Sequence, residues 1–476
     1  ASTWSALKGV PLLFGIIAAG ATWAWVHGRR GPVWATAVAL LTVCSAAFLY
    51  HAHILLSDVP FLALTVAALA AAEGARRVVD GGSGSLGLWV LAAVLAALAV
   101  LTRTAGVPLA VALVAGAALH GRVRRAALTA LALAVPMVAW WARGRGIETE
   151  GAYLREFWMA NPYRPELGEI SWTGLVPRAI ENVFGYVAGH VPAALVGPSA
   201  LGAGLGVVLV LLALVGWVRA VRSGPRAAEI FVPLYLGLIL VWPVVWSGDR
   251  FVLPLVPFLL FYAATAAEWA VRSLRAAAVV PVLAAATAGL LLAEGSAILG
   301  AADRAAACRG AVRAGGPWAC SGQGMVQFTE AARWSGANLP AGSVVLTRKP
   351  RIWYAMSAMP TLTYPFVADS EVLLDAAATA GASYVLLDLV GAQAQLLATA
   401  IGADPGAFCS VAGFGAGDGP RTELLGILPQ EMRATREAGS APTIAACPAD
   451  MRGRGVELEP YVSSSPIPIR TSSSPP

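Results

Sequence analysis

Charge is what this chain has least of. Only 13% of its 476 residues are charged, against about 25% in a soluble domain. The deficit falls in long apolar runs, and the mean hydropathy is +0.69. An ordinary soluble globule is therefore excluded. Lysine is scarcer still, present only as Lys8 and Lys349. The net charge of +6 comes from arginines. Most clustered arginines lie in short connections between apolar runs, where they set topology, so the surplus does not point to nucleic acid. No Walker A, G-x-S-x-G or H-E-x-x-H sequence occurs, which removes an ATP-driven pump and two hydrolase classes. No pair of corresponding broken helices signals the inverted repeat of a secondary transporter.

What is present is a series of about ten apolar segments, near positions 9–26, 33–50, 59–72, 86–101, 106–119, 127–142, 194–218, 230–246, 251–271 and 277–299. Each approaches the ~17–25 residues that cross a bilayer. Alternate connections carry the arginine clusters: Arg29/Arg30, Arg76/Arg77, Arg122/Arg124/Arg125, Arg219/Arg222/Arg226 and Arg272/Arg275. By the positive-inside rule these face the cytoplasm. The other face then holds His51–Asp58, Arg103, the long loop 143–192, Asp249/Arg250 and everything after Leu299. The N-terminus falls on that outer face too, and the expectation is that a further span and outer loop precede Ala1.

After Leu299 the composition turns polar. Short strands near 343–347, 361–364 and 383–388 alternate with helices near 325–337, 350–357 and 370–380, which predicts a small α/β domain over 300–455. Residues 456–476 read as a disordered Ser/Pro-rich tail. The predicted fold class is thus a polytopic α-helical membrane protein, over 1–299, with a small C-terminal extracytoplasmic α/β domain. Cysteine is rare. Four of the five, Cys308, Cys320, Cys409 and Cys447, fall in the outer part. An even number in an oxidising compartment favours disulfides. Proximity along the chain gives Cys308–Cys320 and Cys409–Cys447. A zinc site is disfavoured, for lack of C-x-x-C or a nearby His.

The charged residues beside the spans are the functional candidates, since such groups are costly near lipid. Asp58 opens an apolar helix in His51-Ala-His53-Ile-Leu-Leu-Ser57-Asp58-Val-Pro60. It is read either as a helix cap or as a polar anchor and divalent-cation ligand, with His51 and His53 as weaker ligands in an extended loop. Arg103 sits in the break Leu-Thr-Arg103-Thr-Ala-Gly106, as a snorkelling turn residue or an anion contact. Arg250, in Asp249-Arg250-Phe-Val-Leu-Pro254, has the planar fork suited to phosphate. In the long loop, Tyr153 and Trp158 suit substrate contact or an amphipathic helix lying on the membrane. His190 is read as an ordinary loop residue.

Together, Leu-Leu-Ser57-Asp58-Val-Pro60-Phe, the Arg103–Gly106 break and Asp249-Arg250-Phe-Val-Leu-Pro254-Leu-Val-Pro257 resemble the GT-C superfamily. The nearest likeness is to bacterial members similar to protein O-mannosyltransferases and the lipid A aminoarabinose transferase. Arg333–Pro350 and Ala382–Asp388 resemble the outer C-terminal domain of such relatives. The resemblance implies a glycosyltransferase of the bacterial cytoplasmic membrane. It would move a sugar from a polyprenyl-phosphate carrier to an acceptor at the outer face, with inversion. Arg250 and Arg103 would hold the carrier phosphate, and Asp58 would be catalytic, as the second of two acidic groups. Asp249, His53, Tyr153 and Trp158 would contact substrate. The first acidic group, on the first outer loop, is expected upstream of Ala1. The rival expectations are a transporter or flippase of lipid-linked sugars and a non-catalytic protein of envelope assembly.

Overall fold

The computed structural model describes residues 2–79, 85–145, 152–164, 167–197, 200–274, 277, 279–316, 318–391, 393–415, 419–433 and 444–452. The tail read as disordered lies outside them. The chain divides into two compact units, Ala1–Pro162 with Gly168–Ala306, and Tyr163–Leu167 with Ala307–Pro476.

The first unit is helical. Its first seven helices are α1 (Ser2–Arg30), α2 (Pro32–Cys44), α3 (Ala46–His51), α4 (Asp58–Val79), α5 (Ser85–Thr102), α6 (Val107–Leu119) and α7 (Val123–Gly144). There follow α8 (Ala152–Trp158), α9 (Leu175–Gly185), α10 (Val191–Val196), α11 (Ala200–Arg222), α12 (Ala227–Leu240), α13 (Asp249–Val252) and α14 (Val256–Leu274). The last, α15 (Val279–Gly315), runs past the unit boundary. Among the described residues seven helices are long and apolar enough to cross a membrane. The segments on α2, α6 and α12 are apolar but shorter. This is a multi-pass membrane protein.

Three boundaries differ from the sequence reading. Segment 33–50 breaks at Ser45, whose extended backbone separates α2 from α3. Segment 194–218 breaks at Gly197, which takes a positive φ of 82° that a side chain would resist. The unit boundary falls at Ala306, inside α15, because a helix does not end where its composition turns polar.

α4 is the axis of this unit. Val59, Phe61, Leu62, Ala63, Val66, Ala68 and Leu69 are all fully enclosed. A helix apolar on every side belongs inside a bundle, and α4 packs against α1 and α5. The pair α11 and α14 meets more tightly still. A Cβ on Gly216 would fall 1.9 Å from the Tyr262 carbonyl oxygen.

The second unit holds a five-stranded sheet of β1 (Val344–Thr347), β2 (Thr361–Thr363), β3 (Ala382–Leu387), β4 (Phe408–Phe414) and β5 (Thr422–Ile427). Helices α16 (Gln323–Asn338), α17 (Pro350–Ser357), α18 (Ser370–Ala380), α19 (Ala394–Ala403) and α20 (Gln430–Arg433) accompany it. The strand order is β2-β1-β3-β5-β4. β2, β1 and β3 run parallel, while β5 is antiparallel to both its neighbours. Alternate side chains face opposite ways along a strand, so Val345, Tyr384 and Leu386 join one core with Phe328 and Trp353. Leu346 and Val385 join the other with Leu373 and Leu397. Disulfides link Cys308 to Cys320 and Cys409 to Cys447.

Candidate active site

Three residues far apart in sequence meet at the N-terminal end of α4. Asp58 opens that helix and is fully buried. Its carboxylate accepts hydrogen bonds from two guanidiniums. Arg103 donates to Oδ1. Arg250 donates to Oδ1 from Nε at 3.3 Å and to Oδ2 at 3.4 Å. Of the two readings of Asp58, the buried anchor describes it better: both oxygens are taken by guanidiniums.

Local structure explains how each arginine arrives. α5 stops at Thr102, and Arg103 is extended, with φ −150° and ψ 136°, before the single turn Thr104–Gly106 starts the next helix. That turn folds back onto α5 so closely that a Cβ on Gly106 would lie 2.8 Å from the Val100 nitrogen. Only glycine fits there. Arg250 sits on the short α13, and the hydroxyl of buried Tyr235 donates to the Phe251 carbonyl at 3.2 Å. The Phe251 ring lies 5.2 Å from the Arg103 guanidinium and 5.5 Å from that of Arg250, within cation–π range of both.

The two arginines differ in access. The side chain of Arg103 is 11% exposed, that of Arg250 42%. One carboxylate thus faces two cations, and the outer one opens to a ligand. By charge, this arrangement suits an anion. It does not suit the divalent cation expected at Asp58, because both carboxylate oxygens are engaged and two guanidiniums would repel a metal ion. No three His, Cys, Asp or Glu among the described residues come together as a metal set.

The histidines do not share a direction. His51 ends α3 and is buried, with Nε2 3.8 Å from Asp249 Oδ1. His53 is exposed, and its Nδ1 bonds the Leu49 carbonyl at 2.7 Å. The chain is helical through His51 and then turns, so the alternation of an extended loop does not apply. Trp158 packs edge-on against Trp172, with centroids 4.6 Å apart. Among the described residues, no contact of Trp158 or His53 leads to Asp58. Tyr153 lies on α8, and its side chain is outside the described residues.

Sequence reasoning missed the scaffold behind Arg250. Arg178 and Asn182 are both buried on α9. Asn182 Nδ2 donates to the carbonyls of Leu240 and Trp242, each at 2.8 Å, and its Oδ1 accepts from Ser247 at 2.7 Å. Arg178 donates to the Phe157 and Met159 carbonyls at 2.6 and 2.5 Å. Their spacing of four, on one helix face, was the available signal. His190, read as an ordinary loop residue, is helical instead. It ends a π-helical turn, Tyr186–His190, of a kind frequent at functional sites. Burial lowers its pKa, opposed by Asp249.

No family model and no curated protein sequence matches the chain. Solved structures do. An oligosaccharyltransferase from Archaeoglobus fulgidus, in complex with zinc and sulfate, is 14% identical with a TM-score of 0.50. The match covers 80% of this chain and 56% of that one. The oligosaccharyltransferase AglB of the same organism, in complex with an inhibitory peptide and a dolichol-phosphate, is 14% identical at a TM-score of 0.45, covering 80% and 58%. The chain therefore spans little more than half the length of these structures. At such identity the first likeness is one of fold: a helical membrane protein built like an oligosaccharyltransferase.

Proposed function

We propose that this chain is a GT-C-type glycosyltransferase. It moves a sugar from a polyprenyl-phosphate carrier to an acceptor at the outer face of a bacterial cytoplasmic membrane. The observation that carries the reading is the Asp58–Arg103–Arg250 group: a buried carboxylate holding two guanidiniums, one of them open to a ligand. The shared fold supports it. The C-terminal unit would lie outside, where its two disulfides find an oxidising compartment.

In the reaction an acceptor oxygen attacks the anomeric carbon. The bond from that carbon to the carrier phosphate breaks, and the phosphate departs with the electron pair. Arg250 meets the developing phosphate charge with its fork. Arg103, less exposed, adds field from behind. Asp58 positions both arginines. It is a poor base, since both its oxygens are engaged and no solvent reaches it. Asp249, whose side chain is 42% exposed, can take the acceptor proton, with His51 beside it to receive or steady that charge. Attack opposite the departing phosphate inverts the anomeric centre.

The test is reconstitution of the chain in liposomes with a labelled polyprenyl-phosphate hexose. Loss of label from the carrier to an acceptor or to water, cut about a hundred-fold by Arg250→Ala, is the expected result. Movement of intact carrier between leaflets without cleavage would replace the transferase by a flippase. No change in carrier of either kind would leave a non-catalytic envelope protein.

A further inference from the structure

A second polar group sits in the α/β unit, where no role is assigned. The three parallel strands end on one edge of the sheet. β1 ends at Thr347 and passes into Arg348 and Lys349, β2 into Tyr364, and β3 into Asp388. From β1 the chain leaves toward β2 on one side. From β3 it leaves toward β4, on the other side of the sheet. The loops after β1 and β3 therefore flank a point where strand order reverses. Ligands of open α/β sheets bind outside the carboxyl ends of the strands at such a point.

The side chains there are not satisfied by the fold. Asp388 is fully buried. Its Oδ1 accepts from the Val390 amide at 2.8 Å, but Oδ2 has no partner. Tyr364 is 1% exposed, and its hydroxyl has no partner either. Buried polar atoms are almost always paired, so two orphans at one strand edge call for a ligand. Arg348 and Lys349 are half-buried, act electrostatically on Asp388, and close no ion pair within 4 Å among the described residues. Arg348 lies over Gly391 in the turn after β3, where a Cβ would come 2.4 Å from its Nη1. Burial pushes the Asp388 carboxyl above its usual range, against the pull of Arg348 and Lys349, and pushes Lys349 below its own.

The chemistry narrows the ligand. Two cations ask for an anion. An acceptor-only carboxylate oxygen and a phenol ask for hydroxyls. Inorganic phosphate alone would meet Asp388 with like charge, and a neutral sugar would leave both cations idle. A dinucleotide is disfavoured, since the turn after β1 reads Arg348-Lys349-Pro350 and has no glycine-rich phosphate loop. We propose that this edge binds a phosphorylated sugar, its phosphate on Lys349 and Arg348 and its hydroxyls on Asp388 and Tyr364. The proposal does not rest on the transferase reading.

Calorimetric titration of the purified full chain in nanodiscs tests it, with glucose 1-phosphate, inorganic phosphate and methyl glucoside as probes. Glucose 1-phosphate is expected to bind about ten-fold more tightly than either partial probe. Lys349→Ala and Asp388→Asn should each weaken it about ten-fold, and Tyr364→Phe several-fold. The Tyr364 change removes a hydroxyl that bonds nothing in the fold, so it keeps the test valid if another variant fails to fold. A parallel arm uses nanodiscs containing phosphatidylinositol, which offers the same phosphate and polyol from a lipid. Binding only in that arm, weakened by the same variants, places the source in the membrane. No saturable binding in either arm, or binding indifferent to all three variants, overturns the proposal.

Discussion

The two ends of α4 carry two buried ion clusters that solve the same electrostatic problem in opposite ways. Asp58 opens the helix, and Glu73 lies fifteen residues on, about 22 Å away at 1.5 Å per residue. At the Glu73 end every charge is matched. Arg29 donates to Glu73, including from Nε to Oε2 at 2.7 Å, and to Glu229 Oε1 at 2.5 Å. Trp25 Nε1 donates to Glu73 at 2.9 Å, and the Tyr262 hydroxyl donates to Glu229 at 2.7 Å. Arg226 adds a second cation, 3.3 Å from Glu73. The side chains of Arg29, Glu73 and Glu229 are 6% exposed or less, and only Arg226, at the rim, is open at 41%. At the Asp58 end one acid meets two bases, and one base stays half open. The sealed core of the first cluster, Arg29 between Glu73 and Glu229, locks α1, α4, α12 and α14 together. An open, unbalanced cluster is free to receive something.

The largest effect should come from the sealed end. Arg29→Met leaves two carboxylates buried without their shared cation, a change that costs about 3–5 kcal/mol. Thermal unfolding in detergent should show it as a steep loss of folded protein, while Arg250→Ala melts close to wild type. Equal melting losses for the two variants would erase the distinction.

A buried acid of the other unit, Glu423 on β5, shows what burial does when pairing is weaker. Burial outweighs the influence of Arg421 and pushes its carboxyl up from 4.5 to about 7. A raised folded-state pKa means the folded form holds the proton more tightly. Its contribution to stability is complete below pH 4.5 and is lost as pH rises through about 7. The second unit should lose up to about 3 kcal/mol across that window, and Glu423→Gln should flatten the profile. A Glu423→Gln profile that keeps the full slope would assign it to other groups.

At the open end the expected effect is on turnover. Arg250→Ala should cut sugar transfer about a hundred-fold, with Arg250→Lys recovering only part, since lysine lacks the fork. Transfer unchanged by Arg250→Ala would move the phosphate site elsewhere. Salt gives the smallest contrast. Raising ionic strength to about 1 M shortens the screening length to about 3 Å. Carrier binding at exposed Arg250 should weaken several-fold, while the melting temperature set by the Arg29 cluster should stay nearly constant.

Much of this was legible in the sequence, unevenly. The apolar segments could be counted because each is long and nearly free of charge, and Asp58, Arg103 and Arg250 stood out as charges beside them. That the three touch was not readable, since 45 residues separate the first two and 147 the second from the third. Arg29, Arg226 and Tyr262 were hidden for another reason. The arginines look like ordinary topology signals at span ends, and nothing local shows that they turn inward onto glutamates of other helices. Strands β4 and β5 escaped because their side chains are buried on both faces. That removes the alternation by which a strand announces itself. The parallel strands β1 and β3, each followed by turn residues and a helix, were readable.

Gly216 gives the sealed cluster an asymmetry of its own. Its missing side chain lets α11 rest on the Tyr262 carbonyl, and Tyr262 is the residue whose hydroxyl holds Glu229. Glycine is already the smallest residue, so every missense change at this codon adds bulk and pushes the two helices the same way. Such a lesion has no milder direction, and its repair by a second mutation would have to be sought across the contact, on α14.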